Sequence, residues 1–133
     1  MASLVEAIRT AEEHSTGEIR VHIDSNTEEN NAEVAFNEFS TLCKDQTAEK
    51  NAVLFHVNFE QRYLTIIGDT GIHEKVHQIF WDKMHDYITT EFSRGNYYEA
   101  LKNAILETGL ELKKYFPVKG ENINELPNDL TFS

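Results

Sequence analysis

Cysteine, proline and glycine are all scarce: one, two and six in 133 residues. The lone Cys43 leaves no internal disulfide, so a packed core must hold the fold, and a reducing compartment suits it. No proline- or glycine-rich linker, repeat or low-complexity segment interrupts the chain. No apolar run approaches the ~20 residues of a membrane helix. The opening MASLVEAIRTAEEH has early acids and no basic stretch before an apolar block, so no secretory signal is expected. Basic residues are few, 12 Lys and Arg against 23 Asp and Glu, a net charge of −11. Nucleic acids are gripped by clustered Lys and Arg, so they are not expected partners. An acidic surface suits a cation or a basic protein partner, and it also serves solubility. The expectation is one soluble, cytoplasmic, monomeric domain over 1–119, followed by an extended tail over 120–133.

Periodicity supplies the elements. Ser3 with Glu6 three residues on resembles a capping box, and Leu4, Ile8 and Ala11 then share a helical face. Glu18 to Asp24 alternates strictly, which predicts a strand. Its polar row of Glu18, Arg20, His22 and Asp24 can build a site or form a solvated face. Ala32, Ala35, Phe36, Phe39, Leu42 and Cys43 mark an amphipathic helix, with Cys43 read as a small buried hydrophobe. Asn51 to Phe59 is a dense apolar strand, Glu60-Gln61-Arg62 a turn, and Tyr63 to Ile67 the returning strand. A long helix follows, with Ile72, Val76, Phe80, Met84 and Ile88 in one stripe and Ile79 and Tyr87 beside it. It ends at Gly95. The last helix runs from Tyr97 to Tyr115, and Gly109 inside it implies close packing. The order α-β-α-β-β-α-α predicts a three-layer α/β/α sandwich with a small mixed sheet.

That topology gathers three strand ends at one sheet edge: Glu18, Lys50 with Asn51, and Asp69. Hard cations want carboxylate, amide and carbonyl oxygens. Glu18, Asn51 and Asp69, with the backbone of Gly68 and Thr70, are therefore candidate metal ligands, and Asp82 is a more distant one. An anion beside Lys50, at the N-terminus of the long helix, is an alternative. So is a purely structural edge, with Asp69 as helix cap and Glu18 as a rim charge. The opposite edge, near Asp24, Ser25 and Asn58, is the competing location. A separate signal is the string His73-Glu74-x-x-His77. On a regular helix the two histidines share a face and can hold zinc, with the glutamate as general base of a hydrolase. No third ligand is evident, and the wheel puts both histidines on the flank of the apolar stripe, where packed histidines occur.

Four stretches resemble the TPM domain family of thylakoid-lumen, photosystem-repair and receptor-modulator proteins. They are Ser15-Thr16-Gly17-Glu18-Ile19-Arg20-Val21-His22, Thr47-Ala48-Glu49-Lys50-Asn51-Ala52-Val53-Leu54, Ile67-Gly68-Asp69-Thr70-Gly71-Ile72 and Phe92-Ser93-Arg94-Gly95-Asn96-Tyr97. The tail Asn124-Glu125-Leu126-Pro127-Asn128 is similar to tails of the short soluble bacterial branch. The resemblance implies an α/β/α sandwich and a divalent cation, chiefly calcium. In some plant members it implies acid phosphatase activity. Lys50 and Ala52 stand where the family has Arg and Gly, and His73 and His77 lie outside its pattern. No phosphate loop or nucleophile–base pair accompanies the phosphatase reading.

Overall fold

A computed structural model of the chain describes residues 2–24, 31–60 and 63–118. The expected turn residues Gln61 and Arg62, the loop residue Ser25 and the tail over 120–133 lie outside them. The elements are α1 (Ala2–Glu12), β1 (Glu18–Asp24), α2 (Asn31–Leu42), β2 (Ala52–Asn58), β3 (Tyr63–Gly68), α3 (Thr70–Ser93) and α4 (Tyr97–Tyr115). α1 already includes Ala2, so Ser3 lies inside it and not at its cap. Glu6 instead pairs with Arg9 one turn on.

β1 and β2 run parallel and β2 and β3 antiparallel, in the order β1-β2-β3. β2 is central and every one of its residues is buried, which explains its dense apolar content, interrupted by His56 and ended by Asn58. The sheet divides the core in two. Ile19, Val53, Phe55, Val57 and Leu64 face α1, α3 and α4. Ala52 and Leu54 face Phe39 and Cys43 at the end of α2. The architecture is therefore the expected three-layer α/β/α sandwich. α2 packs on β2 and β3. The polar row of β1 stays only partly covered, with Arg20 exposed and Glu18, His22 and Asp24 half-buried. Phe36, expected in the core, is 56% exposed. Burial pushes the Cys43 thiol up to about 11, with the nearby Glu18 and Asp69 charges adding to it and Arg20 opposing. Cys43 is buried and packs with Phe39, Ala52 and Leu54, as a small hydrophobe would.

Gly109 sits where α4 crosses α1. A Cβ there would lie 2.6 Å from both Ala11 Cα and Ala11 Cβ. α3 departs from the sequence reading. Its backbone breaks at His77, where φ is 65° and ψ is 171°. The break re-phases the second segment, so Trp81, Met84, Ile88 and Phe92 are buried. Phe80 is half-buried, and Ile79 and Tyr87 are exposed. Trp81 closes over Gly68, where a Cβ would meet its ring at 2.5 Å. Its indole N–H donates to His73 Nδ1 at 3.1 Å, spanning the break.

Two substitutions test these contacts. Gly109→Ala gains roughly 1 kcal/mol of helix propensity but forces a methyl into the Ala11 backbone, an overpacking cost of about 1–3 kcal/mol. The expected outcome in urea denaturation is a net loss of stability. A gain means that α1 can move away at little cost. His77→Gly relieves a backbone region that costs a non-glycine residue about 1–3 kcal/mol. Exposed His77 gives up no packing, so the expected outcome is a net gain near 1 kcal/mol after the entropy glycine adds to the unfolded chain. A lower denaturation midpoint would show that the histidine side chain holds the break.

Candidate functional site

The register assembles the expected edge. Glu18 pairs with Ala52 and Val53 with Gly68, so the starts of β1 and β2 and the end of β3 lie side by side. Lys50 enters β2 with φ at 53°, a left-handed conformation. This presents its carbonyl to the first turn of α3. That oxygen accepts Gly71 N–H at 2.7 Å and Ile72 N–H at 3.3 Å. The approach requires glycine, since a Cβ on Gly71 would lie 2.0 Å from the Glu49 carbonyl oxygen. Asp69 is the N-cap of α3 and 3% exposed. One of its oxygens accepts Thr70 N–H and the other Asp45 N–H, each at 2.8 Å. His73 N–H reaches the Asp69 carbonyl at 3.0 Å. Each N–H of this first turn is thus taken by the protein, leaving none to hold an anion. Lys50 Nζ lies 3.7 Å from Asp45 Oδ1, with both side chains largely exposed.

Asn51 is fully buried at the centre of the edge. Its backbone N–H donates to Thr47 Oγ1 at 2.9 Å and its side-chain amide to Thr16 Oγ1 at 2.9 Å. The Thr16 hydroxyl in turn donates to Glu49 Oε1 at 2.5 Å. Asn51 Oδ1 finds no hydrogen-bond partner among the described residues. Behind the edge, Glu12 accepts the Ile19 N–H at 2.7 Å and ties β1 to α1. Burial raises the Glu12 pKa against that bond, and Glu18 raises it further. The charges of Glu18 and Asp69 both act on the Cys43 thiol beneath. Both expected carboxylates therefore share one neighbourhood with Asn51.

Asp82 stands apart from this group. It is exposed on the segment of α3 beyond the break and accepts from Gln78 at 2.9 Å. His73 and His77 are both exposed, not packed against the core. The break at His77 removes the one-turn spacing on which an H-E-x-x-H site depends, and His73 Nδ1 is engaged by Trp81. Thr16, Thr47 and Glu49 were not among the expected site residues. All three lie in the Ser15-Thr16-Gly17-Glu18 and Thr47-Ala48-Glu49-Lys50-Asn51 stretches that carry the family resemblance, the one signal that marks them.

No curated protein matches the chain. Among solved structures, the chain is similar to the NMR structure of the BA42 protein from the psychrophilic bacterium Bizionia argentinensis. The two share 38% identity and a TM-score of 0.80, over 99% of this chain and 91% of that one. A family model described as the TPM domain matches residues 1–110. That span contains all four stretches on which the resemblance rests, together with the edge they build, and the chain belongs to the TPM domain family.

Proposed function

We propose that this TPM domain is a divalent-cation-binding interaction module, with calcium as its ion, seated at the edge formed by Glu18, Asn51 and Asp69. The observation that carries the reading is Asn51 Oδ1, a fully buried acceptor with no donor among the described residues. An orphaned buried acceptor costs about 1–3 kcal/mol, and a hard cation is a ligand that removes this cost. Asp69 has both oxygens in use, yet a carboxylate offers about four acceptor positions. Glu18, Glu49 and the Gly68 and Thr70 carbonyls are the further oxygens of this edge. The family resemblance implies a divalent cation, and the net charge of −11 favours its approach. Phosphate-ester hydrolysis gains no comparable support. The first-turn amides of α3 are occupied, and Lys50 faces Asp45.

Calcium titration of the full chain, followed by calorimetry and amide NMR, tests the reading. Shifts centred on Glu18, Asn51 and Asp69 are expected. Glu18→Gln should weaken binding about tenfold, or 1.4 kcal/mol. Calcium at 100 times its Kd should add about 2.7 kcal/mol to unfolding, and a chelator should remove that gain. Absence of heat and of shifts with calcium and magnesium sinks the proposal.

A further inference from the structure

The opposite end of the same sheet holds a different set of donors. His22 on β1 and His56 on β2 are register partners in the parallel pair, so their side chains stand on one face. Their rings stack with centroids 5.4 Å apart and planes 17° from parallel. Asp24, two residues beyond His22, returns to that face. Its Oδ2 lies 3.4 Å from His56 Nε2, in ion-pair range. Ligand atoms of all three residues lie within 4.8 Å of one another. The His56 ring is wholly buried; its Nδ1 makes no hydrogen bond among the described residues, and its Nε2 has only the Asp24 carboxylate at 3.4 Å. Buried imidazoles normally have well-made partners, so a ring with one orphaned nitrogen and the other only in long contact with a carboxylate calls for a ligand. Thr65, the register partner of His56 on β3, presents a buried hydroxyl that likewise makes no hydrogen bond among the described residues.

We infer that His22, Asp24 and His56 form a binding site for a borderline divalent transition ion, zinc in particular, distinct from the oxygen-rich edge. Two imidazoles and one carboxylate are a donor set that zinc takes and calcium does not. Ligands at 2.0–2.2 Å from a tetrahedral ion stand roughly 3.3 Å from each other. The His56–Asp24 pair is already at 3.4 Å, and half-buried His22 needs only a side-chain adjustment to complete the set. Asp24, with its side chain 19% exposed, gives the ion a path from solvent. Burial, and then His22, lower the His56 pKa against the pull of Asp24 and of Glu38. Thr65 stands on the same face as His56, its hydroxyl bonded to neither ring nitrogen. Three protein ligands leave a further coordination position for water or for a partner's donor.

The site is tested on the full chain with Zn2+ by calorimetry, with Co2+ by visible absorption, and by NMR of the histidine rings. One equivalent of zinc should bind, shift the His22 and His56 ring signals, and give Co2+ the intense visible bands of low coordination. His22→Ala and Asp24→Asn should each weaken zinc at least tenfold while amide spectra confirm an intact fold. Glu18→Gln and Asp69→Asn should leave zinc affinity unchanged, and a tenfold excess of calcium should not displace it. The inference is overturned if zinc leaves the wild-type His22 and His56 ring signals unmoved. It is also overturned if His22→Ala binds zinc as wild type does, or if zinc is lost in His73→Ala/His77→Ala and kept in His22→Ala.

Discussion

One carbonyl oxygen organises the oxygen-rich edge. The Lys50 carbonyl accepts two N–H groups from the first turn of α3, and it is turned toward them only because Lys50 adopts a left-handed conformation. An L residue bears that at an energetic cost. The cost is offset because the two amides would otherwise be orphans of a helix start. Gly71 lets the two backbones touch, Asp69 closes the turn from the other side, and Asn51 follows directly into β2. Loosening this contact would move the helix, the cap and the buried amide together.

The three-stranded sheet presents opposite chemistries at its two ends. The starts of β1 and β2 carry carboxylates and an amide over a thiol whose ionisation its burial suppresses. The ends of the same two strands carry imidazoles. A parallel pair makes this separation simple, since both strands contribute the same polarity of backbone and the same row of side chains to each end. The central strand and its approach supply a fully buried member of each group: Asn51 immediately before β2, and His56 within it, are each wholly removed from solvent.

Sequence reading captured the element order, the mixed sheet and the convergence of strand ends, because period-two and period-3.6 patterns are strong here. The edge residues Glu18, Asn51 and Asp69 followed from topology alone. The break in α3 was not legible. Ile72, Val76, Phe80, Met84 and Ile88 satisfy an unbroken wheel, and neither glycine nor proline marks position 77. The same continuous wheel made His73 and His77 look packed. His56 was hidden for another reason. It sits in a dense apolar strand, where a buried polar residue has no periodic signature. Its partnership with His22 depends on the offset that pairs Glu18 with Ala52, which no local pattern encodes.

The turn between α1 and β1 has a consequence for the order in which the domain can form. Ser15 bridges Pro117, Thr16 N–H reaches the Phe116 carbonyl, and Val118 N–H reaches that of His14. Gly17 lies against Leu112. These contacts join segments roughly 100 residues apart, and loop closure makes such contacts slow to form. The partners over 112–118 lie beyond the 1–110 span of the family match. During synthesis, the turn that carries Thr16 to Asn51 cannot be clamped until residues 112–118 have left the ribosome. The clamp on this edge therefore depends on the end of α4 having been made.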